Sequence, residues 1–145
     1  ITNYLDNFDW RGQIDTFRGM YQARRDAMLD GLAAHMPPGT TWTTPNGGFF
    51  VWVTLPEGLD SQAMLPRAIS ARVAYTTGTA FYADGLGSRN MRLSFCFPTP
   101  ERIIEGTRRL GEVLAQELEM HHTFGLGVDA PRHFDLTTGP APDIS

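Results

Sequence analysis

Apolar residues recur along this chain with two different periods. Between about Trp10 and Met36 the positions Ile14, Phe17, Tyr21, Met28, Leu32 and Met36 follow one another at intervals of three, four or seven, which predicts one long amphipathic helix. Pro37-Pro38-Gly39 ends it. Arg24 and Arg25 interrupt the stripe, so they mark its solvent side or reach a partner. Two extended segments follow, Thr41 to Thr44 and Gly48 to Leu55, around a Pro-Asn-Gly-Gly turn. In the second, Phe49, Val51, Val53 and Leu55 alternate with Phe50 and Trp52. Both sets are apolar, so the spacing predicts a central strand covered on both faces. Gly47 and Gly48 suit either a plain hairpin turn or the close approach of another group to the main chain.

Asp60 or Ser61 can cap a helix running to about Arg72, with Met64, Leu65, Ala68 and Ile69 buried. Pro66 predicts that this helix starts late, near Leu65, or is kinked. Val73 to Thr77 reads as a short strand, and a Gly-rich loop leads from it to the run RNMRLSFCF, Arg89 to Phe97. There Met91, Leu93, Phe95 and Phe97 fall on one face and Arg92, Ser94 and Cys96 on the other. The last helix starts with Thr99 as cap and Pro100 at the first helical position and reaches about Met120. Its inner stripe is Ile103, Thr107, Leu110, Leu114 and Leu118, with Glu105 and Arg109 paired outside. Residues 1–120 form the expected domain, and the aperiodic residues 121–145 a mobile tail. The order helix, strand, strand, helix, strand, strand, helix predicts an α+β fold, a small, mostly antiparallel sheet with helices packed on it.

Composition narrows the function classes. A chain of 145 residues supports one domain with a real core. A net charge of −4 and the lack of any basic run give no case for nucleic acid. No apolar stretch approaches the ~18 residues of a membrane span. Cys96 is the single cysteine, which excludes an internal disulfide and suits a reducing cytoplasm. The sequence opens on Ile1 without a signal-peptide pattern, so it is expected to be part of something longer. His121, His122 and His133 have no partner at metal-ligand spacing, and GLGSRN lacks the full dinucleotide-binding pattern. All 12 residues of the Lys+Arg count are arginines. Chemistry that needs a lysine amine therefore cannot arise within these residues. Arg92 stands out, because a guanidinium in a strand this apolar needs a negative partner or solvent.

The runs YQARRDAML, PNGGFFVWVTLPEGLD, VAYTTGTAFY, MRLSF and PERIIEGTRRLGEVL, between roughly Tyr4 and Leu118, resemble in order and spacing the C-terminal small domain of class I/II aminotransferases. These are pyridoxal-phosphate enzymes of fold type I. The nearest subgroup holds 2-aminoadipate aminotransferase and the aminotransferase-like domains of MocR-type regulators. The resemblance implies that Arg92 grips the α-carboxylate of an amino-acid or 2-oxo-acid substrate, a task suited to a planar, permanently charged guanidinium. An internal ion pair is the competing role for Arg92. By the same resemblance Asn46, Gly47, Gly48, Gly78 and Phe81 lie near the substrate. Thr77 stands where relatives usually carry proline, and Arg72 where glycine is common.

The family's cofactor-binding lysine lies on a large N-terminal domain, and these residues hold no lysine. The resemblance thus implies pyridoxal phosphate only in a full-length parent, of which these residues would be a domain that is catalytically inert alone. The parent would be a cytoplasmic, homodimeric transaminase acting on an amino acid and a 2-oxo acid. Two alternatives stay open: the effector-sensing domain of a MocR-type transcriptional regulator, and a stand-alone non-catalytic ligand or interaction module. In an isolated domain Phe49, Phe50, Trp52 and Phe81 would be exposed.

Overall fold

The computed structural model describes residues 8–84 and 86–125. Helix α1 spans Trp10–His35 and is capped by Asp9, whose carboxylate accepts the Gly12 N–H at 3.0 Å. Strands β1 (Thr41–Trp42) and β2 (Phe50–Thr54) follow, then α2 (Ser61–Ser70), β3 (Thr76–Thr77), a 3-10 turn (Gly78–Phe81), β4 (Asn90–Ser94) and α3 (Pro100–Gly125). The expected element order and α+β class are those of the structure. The sheet runs β1-β2-β4-β3 with every neighbouring pair antiparallel.

One face of this sheet carries the core. Val51 and Val53 of β2 stand across from Leu93 and Met91 of β4. They pack with Met28 and Leu32 of α1, Met64 of α2, and Ile103, Leu110 and Leu114 of α3 in one buried cluster. The two long helices approach closely. At Gly111 of α3 an added Cβ would collide with the His35 carbonyl oxygen and lie 3.0 Å from its carbon, so only glycine lets the backbones meet there.

The C-terminus of α2 ends in a left-handed residue. Arg72 has φ +61, its N–H bonds Ile69 O at 2.8 Å, and the Val73 N–H bonds Ala68 O at 2.8 Å. This is the Schellman arrangement, in which glycine is the residue of least strain. It also consumes the backbone that was expected to open the next strand at Val73, so β3 keeps only Thr76 and Thr77.

Several expectations are corrected by packing. Helix α2 starts at Ser61, with Asp60 accepting from Gln62 N at 2.7 Å and Ala63 N at 3.0 Å, and it contains Pro66. The start near Leu65 does not occur, because the Asp60 cap satisfies the first turn. Ile69 is 58% exposed, since the buried positions Ser61, Met64 and Ala68 leave it off their stripe. In α1 the buried residues are Ala27, Met28, Gly31 and Leu32, while Ile14 and Phe17 of the N-terminal half are exposed. β4 stops at Ser94, and Phe97 is 91% exposed rather than on the core face. β2 is central as expected, yet only its Val51 and Val53 face is covered. Helix α3 continues to Gly125, into the stretch assigned to the tail. The remaining tail, His133 included, lies outside the described residues.

Candidate functional site

The strand register decides what surrounds Arg92. Trp52 of β2 is its direct partner on one side and Thr76 of β3 on the other. Opposed residues of antiparallel strands share a face, so Trp52, Arg92 and Thr76 all project from the sheet face opposite the core. Phe50 and Ser94 lie on that face too, as do Thr54 and Asn90, whose side chains are joined by a 3.0 Å hydrogen bond.

Arg92 is half-buried. Its Cζ lies 4.1 Å from the centroid of the Phe50 ring and 4.7 Å from that of Phe81. Phe81 in turn meets Trp52 edge-on, with centroids 5.1 Å apart. Among the described residues no acidic side chain pairs with Arg92 and no hydrogen bond uses its N–H groups. The competing role of an internal ion pair therefore finds no partner among them. Seven other arginines are committed. Arg18, Arg25, Arg67, Arg108 and Arg109 pair with carboxylates, and Arg24 and Arg89 donate to the carbonyls of Cys96 and Leu55. An aromatic face attracts a cation without occupying its N–H donors. Arg92 thus presents an unspent, permanently charged fork on an open sheet face.

The other expected site residues divide into two groups. Gly78 is buried at the start of the 3-10 turn, where a Cβ would lie 2.7 Å from Asn90 O and closer still to Gly87 O. A side chain there would push the turn off the sheet, and the turn is what carries Phe81 over Arg92. Thr77, at the usual proline position, has φ −67, a value proline itself adopts. Its hydroxyl bonds that of Thr79 at 3.2 Å. Asn46, Gly47 and Gly48 instead lie exposed in the connection between β1 and β2. Gly48 has φ +81, and no described residue lies within 4 Å of a Cβ built on Gly47 or Gly48. They take no part in the ring contacts around Arg92. Phe50 does, although no sequence signal singled it out as a site residue. Alternation put Phe50 and Trp52 on one face of β2, but only the β2–β4 register puts that face beside Arg92.

A separate cleft of about 670 Å³ runs along α3 and is lined by Met28, Arg72, Leu93, Ser94, Arg102 and Arg109 among others. Arg92 is not part of it. Arg109 is taken by Glu105 at 2.8 Å, and hydrogen bonds from Arg108 and then Arg109 hold the Glu105 carboxyl down at about 2. Arg72 and Arg102 line the cleft without an ion pair among the described residues, but only Arg92 has its guanidinium set against two ring faces, which makes it the stronger candidate for chemistry.

No protein-family model matches the chain. Individual proteins do. It is 48% identical over 99 residues to an aromatic-amino-acid aminotransferase of Thermococcus litoralis, covering 68% of this chain and 24% of that protein. It is 38% identical over 102 residues to the 2-aminoadipate transaminase of Thermus thermophilus, covering 70% of this chain and 26% of that protein. Among solved structures, a multiple substrate aminotransferase from Thermococcus profundus superposes with a TM-score of 0.75 at 43% identity, over 81% of this chain and 29% of that one. A more distant match, 26% identical over 107 residues, is an HTH-type transcriptional regulator of Bacillus subtilis, with 74% of this chain and 22% of that protein covered. The chain spans about a quarter of the length of these curated relatives. Its sequence and its sheet-and-helix arrangement agree on one conclusion: the chain belongs with the fold type I, pyridoxal-phosphate-dependent aminotransferases and corresponds to their C-terminal small domain.

Proposed function

We propose that this chain is the substrate-carboxylate-holding domain of an aminotransferase that moves an amino group between an amino acid and a 2-oxo acid. The observation that carries the reading is Arg92, half-buried against two aromatic rings with no acidic partner among the described residues. A guanidinium can receive a carboxylate through two parallel N–H donors, which fixes the carboxylate's plane and the direction of the carbon attached to it. Fixing that carbon is what a reaction at the α-position requires. The carboxylate's negative charge would also supply the counter-ion that Arg92 lacks among the described residues.

The residues present do not fit covalent attachment of the cofactor. Attachment needs a lysine amine, and every one of the 12 basic residues counted as Lys+Arg is an arginine. In this reading the cofactor and the proton-transfer groups belong to a large domain outside these residues, and the 145-residue chain alone is inert. Phe81, carried by the turn that Gly78 permits, shapes the substrate side of Arg92. Asn46, Gly47 and Gly48 would border the substrate only as part of the complete active site. The parent is read as a cytoplasmic homodimer. No helix among the described residues is long and apolar enough to cross a membrane.

Titration of the chain with pyruvate, the simplest 2-oxo acid of three carbons, tests the reading. Chemical-shift changes centred on Arg92, abolished by Arg92→Gln, are expected. Transamination between any amino acid and 2-oxo acid by the 145 residues with added pyridoxal phosphate would overturn the inert-domain part. Unchanged pyruvate binding in Arg92→Gln would overturn the role of the arginine.

The similarity to an HTH-type regulator favours one second reading. There the same carboxylate grip serves to sense an amino-acid effector, and DNA is bound by another part of the parent. A parent that binds a defined DNA duplex and whose affinity responds to an amino acid supports this reading. A parent that turns over amino acids and binds no DNA overturns it. A stand-alone ligand module without any cofactor is the remaining alternative from the sequence, and it has no observation of its own in favour.

A further inference from the structure

Phe50 and Phe81 are 40% and 45% exposed and stand outside the buried core cluster. Large apolar side chains left this open on a sheet face contribute little to the core, so their placement calls for another explanation. Both converge on the same atom, Cζ of Arg92, from different elements. Phe50 comes from β2 and Phe81 from the 3-10 turn after β3, with β4 between these strands. The Phe81 ring is itself held by its edge contact with Trp52.

We infer that Phe50 and Phe81 are positioning residues for Arg92, fixing the guanidinium through their ring faces so that its N–H edges stay free for a ligand carboxylate. The inference deepens the proposed carboxylate-holding role and rests on it. A resident aspartate or glutamate would orient the arginine equally well. It would also occupy the donors that the ligand needs, and every binding event would then have to displace it. Ring faces interact with the charge and leave the in-plane donors alone. Ordering this long, flexible side chain before the ligand arrives removes part of the entropic cost of binding. The ligand class that fits is a carboxylate of a small 2-oxo or amino acid, because the free in-plane N–H donors of the guanidinium match the two oxygens of a planar carboxylate.

The test uses the 145-residue chain and nitrogen-15 NMR of the Arg92 side-chain Nε–Hε group, assigned by its loss in Arg92→Lys. In the wild type this signal is expected to be rigid and shifted by ring currents. Phe50→Leu and Phe81→Leu are each expected to loosen it and to weaken pyruvate binding about two- to five-fold, the range of an exposed cation–π contact. Phe81→Tyr keeps the ring and is expected to behave as wild type. Phe81→Glu supplies a resident acid and is expected to keep the side chain ordered while losing pyruvate. Amide spectra that match the wild type establish that each variant is folded. A wild-type Nε–Hε as mobile as in the leucine variants, or leucine variants that bind pyruvate like wild type, overturns the inference. A rigid, ring-shifted Arg92 that does not respond to pyruvate overturns the carboxylate role beneath it, and the intact ordering tells the two failures apart.

Discussion

The backbone N–H of Arg72 donates to the carbonyl of Ile69 at 2.8 Å while Arg72 itself sits at φ +61. A left-handed conformation costs a side-chain-bearing residue roughly 1–2 kcal/mol relative to the right-handed one, and glycine almost none. Arg72 makes no ion pair among the described residues that would offset the strain. Arg72→Gly is therefore expected to raise stability by about 1 kcal/mol, read as a higher urea midpoint at unchanged slope. Arg72→Val, β-branched in the same conformation, should lower it.

The Tyr75 hydroxyl donates to Ser61 O at 2.7 Å, and burial, with Asp60 and Glu117 adding to it, pushes the phenol up from 10 to about 12. A raised value means that the folded state keeps its proton longer than the unfolded chain. The stabilisation from Tyr75 is whole below pH 10 and lost as pH rises to about 12. No lysine titrates in that window, because the sequence has none. Tyr75→Phe should cost about 1 kcal/mol at neutral pH, the value of one net hydrogen bond. Its urea midpoint should also fall less between pH 10 and about 12 than that of the wild type.

Ser61 is fully buried, and its hydroxyl has no hydrogen-bond partner among the described residues. Its carbonyl, which receives Tyr75, and its N–H, bonded to Ser88 O at 2.7 Å, are backbone groups that survive substitution. Ser61→Ala is expected to be neutral or stabilising by up to about 1 kcal/mol in thermal unfolding, since it removes an unsatisfied polar group. A loss comparable to that of Tyr75→Phe would mean the hydroxyl has a partner after all.

Gly111 meets the backbone of His35 where α3 crosses the end of α1. Backbone cannot yield as a flexible side chain can. Gly111→Ala is expected to destabilise by about 1–3 kcal/mol despite alanine's higher helix propensity. Gly106, on the same helix with no described residue within 4 Å of an added Cβ, is the control. Gly106→Ala should stabilise by about 1 kcal/mol in the same urea titration.

The elements themselves were written locally. Asp60, Thr99 and Pro100 mark helix starts through hydrogen bonds and φ values that span a few residues, and the structure puts α2 and α3 there. The alternation of β2 and β4 likewise separated Val51, Val53, Met91 and Leu93 from Phe50, Trp52 and Arg92 before any pairing was known. Periodicity ran out at coverage. Ile14 and Phe17 fit the stripe of α1, and Phe50 and Trp52 fit a buried strand face, yet no described element of this chain packs over them as core.

What the sequence determined by itself was the order of elements, the α+β class, the total lack of lysine and the position of Arg92 on the polar side of an apolar strand. Those follow from residue types and short-range spacing. Tertiary structure alone decided that Arg92 lies against the ring faces of Phe50 and Phe81 with no acid at hand among the described residues. That outcome depends on strand register and on a turn seated against Asn90, and both are set by contacts between residues far apart in the chain, which no local pattern encodes.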